Sequence, residues 1–117
     1  MSQYDIVLEG KCTVKKKGNR GTLVFKEKLT LRGGLFRDGV IWKVPVSHRY
    51  PNGVRYRLAV IDVEADRLVT LFDNHHPKGH HRHFEDGREE PYAFESVGKL
   101  VEDYLAESVR EERKHED

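Results

Sequence analysis

Residues 89–109, Glu-Glu-Pro-Tyr-Ala-Phe-Glu-Ser-Val-Gly-Lys-Leu-Val-Glu-Asp-Tyr-Leu-Ala-Glu-Ser-Val, hold the point where the chain changes its period. After Ser96, Val97, Leu100, Val101, Tyr104, Leu105 and Val109 fall at i, i+3, i+4, i+7, i+8 and i+12, the apolar stripe of an amphipathic helix. Ser96 suits the N-cap, where a hydroxyl accepts from the first free backbone N–H groups. A helix is expected over 96–113, followed by a polar tail at 114–117 that frays.

Before Ser96 the period is two. Ile6, Leu8, Cys12 and Val14 alternate with polar residues up to a turn at Gly18–Gly21. Leu23, Phe25, Leu29 and Leu31 alternate with lysines, with a bulge expected near Glu27, and Gly33-Gly34 ends the strand. Val40–Val44 reads as a strand ended by Pro45. Asn52-Gly53 is a hairpin signal, because both residues tolerate positive φ. Strands are expected at Val54–Val63, Leu68–Phe72 and Tyr92–Phe94, with Glu64-Ala65-Asp66 and Asp86-Gly87 as turns. The expected fold is α+β in a single domain, 1–117. An antiparallel meander of about six strands spans 1–95, and the C-terminal helix packs on the sheet.

Composition narrows the function classes. At 37% hydrophobic and 35% charged, the chain can bury one modest core. It has no run of about 18 apolar residues, so no membrane association is expected. Met1 to Glu9 lacks the basic and apolar regions of a secretory signal. Cys12 is the only cysteine, so neither an intrachain disulfide nor a cysteine zinc site is expected, and a reducing cytoplasm is the natural compartment. Residues 1–88 hold 17 Lys+Arg against 10 Asp+Glu, whereas residues 89–117 hold 4 against 10. The basic part can attract a polyanion, and the acidic helix can dock a basic segment.

Five of the seven histidines lie within residues 75–83, inside Asp73-Asn74-His75-His76-Pro77-Lys78-Gly79-His80-His81-Arg82-His83. On an extended backbone His81 and His83 share a face, with Arg82 on the other. Two imidazoles can act as base and acid in RNA cleavage, where the ribose 2′-hydroxyl is the nucleophile. Lys78 would place a positive charge on the phosphate, Gly79 would let backbone N–H groups approach it, and Asp73 would orient a ring. Arg55 and Arg57 would guide the nucleic-acid backbone, and Tyr56 would stack on a base or donate its hydroxyl. No cofactor is required by this chemistry. The alternative is a zinc site built from His81 and His83 with His75, His76 or Asp73. The plainer alternative is a solvated histidine loop, and Trp42 is expected to pack in the sheet.

Tyr56-Arg57-Leu58, Asp73-Asn74, Lys78-Gly79, His81-Arg82-His83, Glu89-Glu90-Pro91-Tyr92, Phe94 and the helix with Leu100, Asp103 and Tyr104 resemble the TumE-type toxins of prokaryotic toxin–antitoxin systems over residues 54–109. The resemblance implies a cytoplasmic toxin encoded beside a helix-turn-helix antitoxin. By analogy with toxins of this size, a metal-independent endoribonuclease is expected. Asp73, Asn74, Lys78, His81 and His83 would carry the site, with Gly79, Arg82, Tyr56 and Arg57 on the substrate. A module that binds nucleic acid or antitoxin without catalysis is the competing expectation. An open meander edge could also pair two copies into a homodimer.

Overall fold

The computed structural model describes residues 21–116. The first expected strand, most of the turn after it and Cys12 lie outside the described residues. Six strands follow in order: β1 (Thr22–Thr30), β2 (Leu35–Lys43), β3 (Val54–Asp62), β4 (Arg67–Asp73), β5 (His81–Phe84) and β6 (Glu89–Pro91). A 3-10 turn at Arg32–Gly34 joins β1 to β2, and the helix α1 spans Val97–Glu116. All neighbouring strands are antiparallel and their spatial order equals their chain order, so the sheet is an uncrossed meander. The expected α+β architecture is the observed one. Among the described residues no helix is long and apolar enough to cross a membrane.

The alternation in β2 to β5 gives the sheet two faces. Leu35, Ile41, Leu58, Val60 and Phe72 are buried with Leu100 and Tyr104 of α1, forming the core between sheet and helix. The Tyr104 hydroxyl donates to the Ala59 carbonyl at 3.0 Å, and burial pushes this phenol far above its ordinary range. Gly39 permits the close approach: a Cβ there would stand 2.8 Å from Leu58 Cδ2 and 3.3 Å from the Tyr104 hydroxyl. Arg37 reaches from β2 to Glu27 of β1 and donates to Ser108 of α1 at 3.1 Å. The opposite face carries Trp42, Arg55, Arg57, Asp73, His81 and His83, as the register requires.

Several local expectations are corrected. The register shift in β1 lies between Leu23 and Phe25, and Glu27 pairs regularly with Gly39, where its carboxylate meets Arg37. β2 begins at Leu35, because Gly39 extends the strand where the helix needs room. Asn52-Gly53 closes a ten-residue connection at 44–53 instead of a two-residue hairpin, with Val44 N–H bonded to the Gly53 carbonyl at 2.9 Å. Pro45 and Pro51, lacking N–H donors, fit this irregular loop. The last strand is Glu89–Pro91, not Tyr92–Phe94. The rings of Tyr92 and Phe94 instead pack on Phe72 and Tyr56. Helical backbone continues through Glu116, past the expected end at 113. There His115 bonds the Glu111 carbonyl at 2.9 Å and lies 3.7 Å from the Asp62 carboxylate. Ser96 caps the helix as expected, accepting from Lys99 N–H at 3.1 Å.

Candidate functional site

β4 and β5 meet at a seven-residue loop, 74–80, whose two ends are both fastened to Tyr56. Asn74 is 4% exposed; its oxygen accepts from Tyr56 N–H at 3.0 Å, and its amide donates to the Val54 carbonyl at 2.8 Å. It thereby continues the ladder of β3 where β4 stops. At the other end the Tyr56 hydroxyl bonds His80 Nδ1 at 2.8 Å, and His80 Nε2 bonds the Asn52 oxygen at 2.7 Å. Burial pushes the Tyr56 phenol up, so it keeps its proton and donates to Nδ1. His80 then carries hydrogen on Nε2. Burial first, and His81 second, lower its basicity. Phe94 stacks on the His80 ring at 4.6 Å.

With both ends fixed, register sets the site. Asp73 pairs with His81 and Leu71 with His83, so the carboxylate and both imidazoles project from the face opposite the helix. His81 Nδ1 lies 2.7 Å from the Gly79 carbonyl. Because a carbonyl can only accept, the hydrogen is on Nδ1. His81 Nε2 then stands 3.0 Å from Asp73 Oδ1 and 3.0 Å from His83 Nε2. On its far side, His83 Nδ1 lies 3.6 Å from Glu89 Oε2, while Glu89 Oε1 accepts from the Lys78 ammonium at 2.8 Å. That bond to Lys78 is the largest influence holding the Glu89 carboxyl below the usual carboxylate range. Side-chain exposure rises from 8% at His81 through 15% at Asp73 to 24% at His83, so the cluster opens to solvent on the His83 side.

The other expected site residues divide into three groups. Arg57 is exposed on the same face and pairs with Asp73, so it flanks the cluster. Together with Trp42, Tyr50, Arg55 and His75 it lines a groove of 260 Å³ that reaches Asp73. Trp42, expected to be plain sheet packing, is a half-buried wall of this groove. Lys78 reaches the histidines only through Glu89. Gly79, at φ 76°, offers its carbonyl to His81.

Three residues expected on substrate are spent elsewhere. Asn74 is consumed by backbone, and Tyr56, 3% exposed, by His80 and the core. Arg82 points toward the helix, pairing with Glu107 at 3.1 Å and donating to Thr70 Oγ1 at 3.1 Å over the Phe72 and Phe84 rings. Of the residues expected to complete a metal set with His81 and His83, the convergent one is Asp73, not His75 or His76. Glu89 was overlooked. The Asp86-Gly87 turn was its signal, because pairing across that hairpin sets Glu89 opposite His83.

The arrangement limits the chemistry. Two nitrogens 3.0 Å apart leave no room for a phosphate between them. The separate base and acid on either side of a phosphodiester are therefore not what this geometry favours. The three side chains form one hydrogen-bonded cluster, bordered by a cationic groove.

A family model described as Toxin TumE matches residues 3–113. No curated protein and no solved structure matches the chain.

Proposed function

This chain belongs to the TumE toxin family, and on that premise we propose that it is the toxin of a toxin–antitoxin pair and that it cleaves RNA at the Asp73–His81–His83 cluster. One observation carries the choice of RNA. The groove containing Arg55, Arg57, Trp42 and Tyr50 runs directly to Asp73. Arg55 and Arg57 are exposed and, among the described residues, without an acidic partner, so both are free for phosphates. The adjacent indole and phenol can stack on bases in single-stranded RNA.

RNA brings its own nucleophile. The 2′-oxygen bonds to phosphorus, the bond from phosphorus to the 5′-oxygen breaks, and the 2′ proton is given up while the 5′-oxygen gains one. The products are a 2′,3′-cyclic phosphate and a 5′-hydroxyl. The protein must neutralise charge on the phosphate and hold the in-line geometry. The cytoplasm is where the RNA target is met. The antitoxin is expected from the neighbouring gene, of the helix-turn-helix kind, and co-purification with that gene product tests the pairing.

The decisive assay incubates purified protein with a labelled single-stranded RNA and identifies the new ends. Cyclic phosphate ends that disappear in His83→Ala, while that variant melts within a few degrees of wild type, support the reading. Undiminished cleavage by His83→Ala, or none by wild type on any RNA tried, refutes it.

A further inference from the structure

We propose that Asp73, His81 and His83 are the protein ligands of one borderline divalent ion of the zinc class. Building on the RNA reading above, we further propose that cleavage takes place on that ion. Geometry comes first. Ligand atoms about 2.1 Å from an ion stand about 3.0 Å apart at adjacent octahedral corners and about 3.4 Å apart at tetrahedral ones. His81 Nε2 lies 3.0 Å from both Asp73 Oδ1 and His83 Nε2, and all three ligand atoms lie within 4.8 Å of one another.

The hydrogen bonding around the cluster points the same way. The Gly79 carbonyl fixes a His81 hydrogen on Nδ1, which leaves Nε2 as the ring atom that can ligate, facing Asp73 and His83. Glu89 stands beside His83 Nδ1 and favours hydrogen there, which likewise leaves Nε2 facing inward. Two ring nitrogens and a carboxylate oxygen then face one point. Without an ion, one Nε2 hydrogen bridges the two rings; no other described residue sends a donor into this point, so an ion need displace only that one proton. An outer carbonyl or carboxylate on the far nitrogen is the arrangement that orients metal-bound imidazoles and makes them better ligands.

The donor set selects the ion. Two imidazoles and one carboxylate suit zinc and its first-row neighbours better than magnesium or calcium, which prefer all-oxygen shells. Three protein ligands leave at least one position open, as in catalytic rather than structural zinc sites. The open side is that of His83, and the groove with Arg55 and Arg57 leads to Asp73. A phosphate oxygen arriving along it would complete the shell and be polarised there. This gives the cluster a use that does not need space between the two rings. Lys78 does not oppose the ion directly, because Glu89 already holds its ammonium.

The test uses the full chain, purified without a metal column and stripped with chelator, then titrated with Zn²⁺ alone against a chromophoric chelator. One ion per chain is expected. Affinity should fall by about 100-fold or more in Asp73→Asn and in His83→Ala, ligand losses exceeding the effect of a lost outer partner. His48→Ala, in the exposed 44–53 loop, should bind as wild type does. Circular dichroism and melting curves of the metal-free variants separate ligand loss from misfolding, and His83, the most exposed of the three, guards against failure of a buried substitution.

Wild type binding far less than one equivalent, or variants binding as tightly as wild type, overturns the site. RNA cleavage is read in parallel, with EDTA and with restored Zn²⁺. Cleavage abolished by EDTA and restored by Zn²⁺ supports the catalytic ion. Stoichiometric binding with cleavage indifferent to EDTA overturns the catalytic part of the proposal and leaves the RNA reading standing. Stoichiometric binding with no cleavage under any condition refutes the RNA reading and leaves the metal site standing.

Discussion

Replacing Glu107 with Gln tests how β5, the strand bearing both histidines, is held to the helix. Glu107 is 7% exposed and meets Arg82 at 3.1 Å and Arg110 at 2.9 Å. The Arg110 side chain is 61% exposed, so its half of the network contributes about 0.5 kcal/mol or less. Arg82 is half-buried over two aromatic rings, where a charge-assisted hydrogen bond contributes about 1.5–3 kcal/mol. An amide keeps the shape and part of that bond, so the loss at neutral pH should be about 1–2 kcal/mol. For a domain of this size that is a melting shift of roughly 4–8 °C.

The pH dependence has a definite sign. Burial alone would raise the Glu107 carboxyl, but Arg82 and then Arg110 outweigh it and hold it below its ordinary 4.5. A carboxyl depressed in the folded state stabilises above its unfolded value and loses that contribution as pH falls through the folded one. The gap between wild type and Glu107→Gln should therefore be full at neutral pH and shrink below 4.5. Urea unfolding at several pH values reads it. Equal stability at neutral pH, or a gap undiminished at about pH 3, would refute the reasoning. The double variant Arg82→Met with Glu107→Leu should recover most of the loss, since removing both charges leaves neither stranded.

Three further outcomes are expected. Asn74→Ala should lower unfolding free energy by about 2–3 kcal/mol, since it strands a buried N–H and a buried carbonyl of β3; a loss below half a unit by denaturant titration contradicts that role. Gly39→Ala should cost about 1–3 kcal/mol, because Leu58 and Tyr104 leave no space for a methyl group, and a neutral result by the same assay argues against that close packing. Arg57→Ala should weaken RNA binding across sequences and reduce the slope of log affinity against log salt by about one; an unchanged slope removes this residue from the phosphate path.

The helix was legible because its signals agree: a capping serine, an unbroken apolar stripe, and Tyr104 central to it. β3 and β4 were legible from other signals, alternation in the first half of β3 and an unbroken apolar run at Leu68–Phe72 in β4, each bounded by turns. The shared face of His81 and His83 followed from the two-residue period alone. β6 was misplaced because Glu-Glu-Pro has little strand preference, whereas Tyr-Ala-Phe alternates but packs its rings without pairing. Asn74 was placed in the site because its partners, Val54 and Tyr56, lie about twenty residues upstream and adjoin it only through sheet register. Glu89 was hidden likewise, its partners known only once the last hairpin is paired.

Because β5 turns its imidazoles and its guanidinium to opposite sides, the length of the segment between Asp73 and His81 matters as much as its composition. If one codon were deleted there and the loop kept its seven residues, the register against β4 would slip by one and the strand would be turned over. Arg82 would face solvent, and the imidazoles would lie against Phe72 and Glu107. Losing two codons restores the original facing. Length changes absorbed by the register should therefore come in even steps, whereas those absorbed by the loop leave Asp73 opposite His81 and are free of that parity.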